Sequence, residues 1–385
     1  MWIANFCFLT SQSFFFLFPL FIIDHNGNQA DIGILMAALP FSSILLRPWI
    51  SEMIDRVGRR MSYIIGSAIM GILPFFYMLF QGNIDDIYLP LLIIRLVHGI
   101  GVALGFTASI TYIVDITPSQ RLNEGLGIFG VAALVGLAAG PSIAEPVIQN
   151  LGFDVFFMTA ACFGLVSLTL GLFIAESYVS TGRPAGSISF FTILKRKKVF
   201  WGAVLSIFMG IGGGVQGAFV SPYGQHLGLP GVSFYFIAYS IAAVLVRVFG
   251  SKLTNRIGEE KIVPWAFTIM GCGFLVLVGV TNIPMLALAG LITGIGHGFL
   301  FPCLNTMMIR GEKAENRGKI SGAFSGGMDS GMFLGSFIMG YIGEWFGYRP
   351  IFISTFMALI LAMILFFTFA RKAQSVQDEA SPTTG

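Results

Sequence analysis

Apolar stretches of about 20 residues follow one another along almost the whole of this chain, separated only by short polar breaks. About 20 apolar residues is the length one helix needs to cross a bilayer. With 55% hydrophobic and only 11% charged residues among 385, little is left over for a water-soluble domain, and lipid must be the solvent for much of the surface. Runs and breaks together predict spans over 2–23, 31–54, 61–80, 88–114, 122–148 and 153–175, then 199–224, 231–254, 261–280, 285–309, 317–342 and 349–370. Residues 176–198 read as an exposed linker ending in Lys195-Arg196-Lys197-Lys198, and 371–385 as a polar tail. The first run has no basic stretch before it, so it is expected to be a retained helix rather than a signal peptide.

The charges give the orientation. All of the 22 Lys and Arg except Arg95 and Arg349 lie in, or at the helix ends beside, alternate breaks and the tail, which marks those breaks and both termini as cytoplasmic. The other breaks hold Asp24, Asp31, Asp85 and Asp86. A net charge of +3 spread in this way is a topology signal and gives no reason to expect a nucleic-acid partner. Cys7, Cys162, Cys272 and Cys303 all fall in apolar runs without metal-ligand spacing and read as packing residues.

The chain also repeats itself. Arg47-Pro-Trp-Ile-Ser-Glu-Met-Ile-Asp55-Arg56-Val-Gly58 corresponds to Arg247-Val-Phe-Gly-Ser-Lys-Leu-Thr-Asn255-Arg256-Ile-Gly258. Farther on, Gly99-Ile-Gly101 pairs with Gly294-Ile-Gly296, and Leu151-Gly152-Phe153 with Phe346-Gly347-Tyr348. The fold class expected is therefore an all-α membrane protein: twelve transmembrane helices in two six-helix bundles, related by a pseudo-two-fold axis along the membrane normal. The bundles are 1–175 and 199–370.

Three segments carry a family resemblance. The turn Asp55-Arg56-Val-Gly58-Arg59-Arg60 after the second span resembles the loop signature of the major facilitator superfamily, with Ser51 in place of its first glycine. Arg95-Leu-Val-His98-Gly99-Ile-Gly101 in the fourth span is similar to the superfamily's arginine motif. In the fifth span Gly136, Gly140 and Pro141 resemble the glycine-proline motif of its exporter branches, although Ala144 and Glu145 stand where the last glycines would be. The resemblance implies that Asp55, with Arg56, Gly58, Arg59 and Arg60, latches one side shut against the eleventh span. It also implies that Arg95 serves proton transfer or substrate anchoring, and that the protein exports its solute. Read from the residues alone, the turn's cations could instead only fix topology, and Arg95 could snorkel toward its helix end.

Asp329, alone in the eleventh span, is the one acidic residue near the middle of any span. An intramembrane carboxylate suits proton exchange, with Arg95 expected as its cationic partner, although a structural hydrogen-bonding role is the competing reading. Gln12, Gln216, Tyr239 and Asn305 are uncharged polar groups on apolar helices, able to line a cavity or to bond between helices. His98 and His297 read as packing residues before proton relays, and Glu145 and Asp24 are weaker carboxylate candidates than Asp329, because both lie near outer helix ends where solvation competes with a coupling role. No cofactor or metal is implied. The reading is a secondary transporter, a monomer in the inner (plasma) membrane, that exchanges protons for a small-molecule substrate. A proton-coupled importer and a receptor on a transporter scaffold are the alternatives, and an enzyme is the least favoured.

Overall fold

A computed structural model describes residues 1–118, 121–177, 190–312 and 314–370, leaving out the side chains at 48, 51, 55, 122–128, 251, 252, 255, 314–316 and 370. Among the described residues the chain is helical throughout. The first bundle holds α1 (Trp2–Phe14), α2 (Phe18–Asp24), α3 (Gln29–Val57), α4 (Arg59–Tyr77), α5 (Ile84–Ile116) and α6 (Leu122–Leu172). A short α7 (Phe190–Leu194) precedes the second bundle of α8 (Lys197–His226), α9 (Ser233–Ile257), α10 (Glu259–Val278), α11 (Ile283–Ile309), α12 (Ala314–Phe346) and α13 (Tyr348–Leu365).

Among the described residues ten stretches are long and apolar enough to cross a membrane. One of them, Phe129–Leu172, is two helices joined at a bend at Gly152. With the glycine- and serine-rich α12 these make the twelve-helix, two-bundle layout. Two details differ from the expected spans. The first is broken between Phe14 and Phe18, with Pro19 opening α2, because a proline supplies no N–H to the preceding turn. The fifth and sixth run on as α6 without an intervening loop.

The repeat is visible in the backbone itself. Gly152 and Gly347 turn the chain with φ/ψ of 82/−178° and 83/−179°, a conformation essentially reserved for glycine. Gly58 and Gly258 do the same between α3 and α4 and between α9 and α10, at φ 100° and 88°. Matching tight turns at matching places hold the two bundles to one topology. The helix ends near Arg59, Lys197 and Arg310 are called the basic end below, and those near Asp85 and Gly347 the far end.

Lipid supplies no hydrophobic drive between helices, so close backbone approach takes its place. A Cβ on Gly140 would sit 2.7 Å from the Phe14 backbone nitrogen and run into the Ser13 hydroxyl. Ser13 Oγ in turn donates to the Gly136 carbonyl at 2.8 Å. The glycine-proline motif thus seats α6 on α1, beside the break in the first span. Between the bundles, α3 lies along α12 and α6 along α9. A Cβ on Gly33 would meet Ser336 O at 2.7 Å and Gly340 Cα at 2.8 Å. Gly140→Val should therefore destabilise the protein by about 1–3 kcal/mol through overpacking, whereas Gly318→Ala, which would meet nothing within 4 Å, should be close to neutral. Thermal unfolding in detergent measures both.

Candidate functional site

Asp329 lies in the middle of α12 at the seam between bundles. Its Oδ2 accepts from the Ser43 hydroxyl at 2.7 Å and from the Arg47 guanidinium, both on α3. The cation facing Asp329 is therefore Arg47, and the expected Arg95 partnership is not formed. The reason is geometric: Ser43 and Arg47, four residues apart, lie on one face of the helix packed against α12. Arg47 and Arg247, which sequence assigned to the flanks of the basic breaks, stand instead well inside their helices, ten residues from the ends of α3 and α9.

Arg95 is 1% exposed, so it does not snorkel. Its Nε donates to Leu35 O at 3.0 Å, and Nη2 lies 3.4 Å from the Met36 sulfur. The guanidinium sits over the faces of Phe18 and Phe15, at 5.0 and 5.6 Å, while Nη1 has no partner. Arg95 lines a pocket between the bundles with Gln12, Phe16, Gly213, Gly217 and Met332. His98, beside it, bonds Tyr77 at 3.3 Å and packs edge-on against Phe15.

A second polar cluster occupies the other bundle. Tyr239 is buried 5.5 Å from the His297 ring and beside Gln216 and Arg247. Arg247 lies 5.0 Å over Phe301 and reaches across the seam to the Gly130 carbonyl on α6 at 3.3 Å. Gln12 thus joins the central pocket, and Gln216 joins Tyr239. Asn305 joins neither: near the basic end of α11, it accepts from Ser321 at 3.4 Å.

Glu145, which sequence placed near an outer helix end as a weaker candidate than Asp329, is 7% exposed. Its carboxylate accepts from the backbone N–H groups of Gly231 at 2.9 Å, Val232 at 2.7 Å and Ser233 at 2.9 Å. It is an anionic cap on α9 supplied by the opposite bundle, a favourable placement for a carboxylate. With the Gly33–Gly340 contact it joins the bundles at the far end. The signal available in sequence was a carboxylate following the glycine-proline motif in place of its last glycine.

At the basic end the turn residues bind within their own bundle. Arg56 pairs with Glu52 at 2.6 Å, Arg59 with Asp115 at 2.9 Å, and Arg60 donates to Leu172 O at 2.6 Å. Glu176 caps α4 through the amides of Arg59 and Arg60 at 3.0 and 3.1 Å. A side chain at Gly58 would strike that carboxylate at 2.5 Å. None of these bonds is the cross-bundle latch expected of Arg56, Arg59 and Arg60, and the side chain of Asp55 lies outside the described residues. In the second bundle Glu259 takes the place of Arg59 and Arg310 that of Asp115, and they pair at 2.6 and 2.7 Å. The ion pair is kept with its charges exchanged.

The sequence profile of the Major Facilitator Superfamily matches residues 1–277 and 217–384. The chain belongs to this superfamily. The MFS-type transporter YhhS of Escherichia coli K12 is 24% identical over 305 residues, 78% of this chain and 74% of that protein. Multidrug resistance protein 2 of Bacillus subtilis is 25% identical over 293 residues, 70% of this chain and 71% of that one. Among solved structures, the nucleoside transporter NupG (a D323A mutant) superposes with a TM-score of 0.76 at 13% identity, covering 96% of this chain and 98% of that one. The human organic anion transporter MFSD10 gives 0.69 at 15%, covering 95% and 98%. At these identities the two structures establish the shared fold.

The protein is thus a multi-pass membrane transporter of the superfamily, its bundles joined at the far end by Glu145 and by the Gly33–Gly340 contact. Removing the Glu145 carboxylate strands three N–H groups, each costing about 1–3 kcal/mol if kept dry. Glu145→Ala should therefore open that end, and a cysteine replacing Gln29 should react several-fold faster with a water-soluble maleimide. Unchanged reactivity would remove Glu145 from that junction.

Proposed function

We propose that the protein exports a small organic solute in exchange for protons, with Asp329 as the proton-carrying group and Arg47 as its counter-ion. The observation that carries the reading is the Asp329–Ser43–Arg47 contact, because it joins one bundle to the other through a carboxylate that can be neutralised. With Asp329 ionised, the charge-assisted contact draws α3 and α12 together in their basic halves. Protonation removes the anion, the contact weakens, and the population moves toward states parted at the basic end. Loss of the proton restores the pair and favours closure there.

Export is favoured by the glycine-proline motif and by relatives named as multidrug resistance proteins. The basic end is cytoplasmic in this reading, by the same excess of Lys and Arg that sets orientation in plasma membranes. The far end then faces outward, and the central pocket is the solute site. Arg95, which does not meet Asp329, acts from that pocket on the solute.

Two measurements test this. In proteoliposomes with an imposed proton gradient, Asp329→Asn should abolish accumulation while leaving slow exchange of solute down its own gradient. Arg47→Gln should impair coupling in the same way. Undiminished solute-coupled proton flux in Asp329→Asn would refute the role given to this carboxylate. For orientation, an impermeant thiol reagent applied to intact cells should label cysteines placed at Asp85 or Asn282 and spare those at Arg59 or Glu312. The reverse pattern would invert the topology.

A further inference from the structure

Three arginines stand inside the helices, Arg47, Arg95 and Arg247, and their charges are not balanced. Asp329 answers Arg47. Neither Arg95 nor Arg247 has a carboxylate within ion-pair distance among the described residues. The Glu145 carboxylate is committed to the amides at the far end. Arginine keeps its charge at any working pH, and a buried cation without a counter-ion is costly in a membrane protein. Backbone carbonyls at Leu35 and Gly130 and the ring faces of Phe18 and Phe301 offset part of that cost. Both guanidinium groups nonetheless retain buried N–H donors without an acceptor, Nη1 of Arg95 and Nε of Arg247.

The two lie on opposite bundles, and of the two it is Arg95 that lines the central pocket, opposite the glycine wall that includes Gly217. Arg247 belongs to the cluster that Gln216, the neighbour of Gly217, shares with Tyr239. His297 adds a further buried ring nitrogen without a partner, Nδ1. Apart from Arg95, Gln12 and Ser336 the pocket lining is aromatic and aliphatic, with Phe16 and Met332 among it.

We infer that the solute is an amphipathic organic anion, whose acidic group compensates Arg95 while its apolar part lies against the aromatic wall. An anion supplies both the charge and the acceptor that the Arg95 guanidinium lacks, and no neutral or cationic solute does so. The inference rests on the pocket being the transport site, and it assigns the solute's charge.

The test uses the full-length protein in detergent and matched probes: octanoate, phenylbutyrate and naphthylacetate, each beside its primary amide and the amine of the same skeleton. The carboxylates should raise the melting temperature, and the amides and amines should not. Half-saturation should move up about tenfold or more in Arg95→Gln, and less in Arg95→Lys, which keeps the charge. Equal shifts from amides, larger shifts from amines, no shift from any carboxylate, or unaltered carboxylate binding in Arg95→Gln would each overturn the inference. The wild-type comparison decides the solute's charge even where the glutamine variant fails to fold. Anion-selective binding without proton-driven flux would contradict export alone, whereas proton-driven flux of a neutral or cationic solute would contradict the anion assignment alone.

Discussion

Lipid offers no hydrogen bonds and no hydrophobic drive between one helix and the next, and the architecture answers that constraint. Backbone polar groups are satisfied inside each helix, so the two bundles are held together where glycines let backbones touch, where rings pack across the seam, as Phe16 does on Phe236, and where polar groups meet. All three devices appear. Gly33 meets Gly340 at the far end, Glu145 caps α9 there, and Asp329 meets Arg47 nearer the middle. A seam of few polar contacts is one that can be parted by neutralising a charge, as rocking between bundles requires.

The duplicated unit shows which features are architectural and which are individual. The turn glycines recur with the same backbone angles, and the ion pair at the start of α4 recurs at the start of α10 with its signs reversed. Contact is kept, so its role is to hold helices together, and polarity is free to change. The arginines of α3 and α9 also recur at corresponding positions, but one meets a carboxylate and the other a carbonyl. That broken symmetry places the arginine–carboxylate contact on one seam only.

Sequence made the fold legible because a membrane helix is written locally, in run length and in turn residues such as Gly152 and Gly58. The isolation of Asp329 in an apolar helix was legible too. Its partner was not, because pairing across bundles depends on how α3 and α12 cross. Arg95 was the nearest guess, as the only arginine unmistakably inside a span, while Arg47 resembled a flanking charge. Glu145 was misjudged for a related reason: its partners are backbone N–H donors, which leave no mark in sequence. The charge exchange between Arg59–Asp115 and Glu259–Arg310 could have been read from the repeat, since both positions switch sign together.

The central claim is that an ionised Asp329 favours closure at the basic end while the far end moves reciprocally. Spin-label distances measured by double electron–electron resonance test it directly, with one pair at Val57 and Gly318 and another at Asn150 and Thr281. In Asp329→Asn the first distance should lengthen relative to wild type, while the second shortens or holds. Distributions unchanged at both ends, or both pairs lengthening together, would contradict the account.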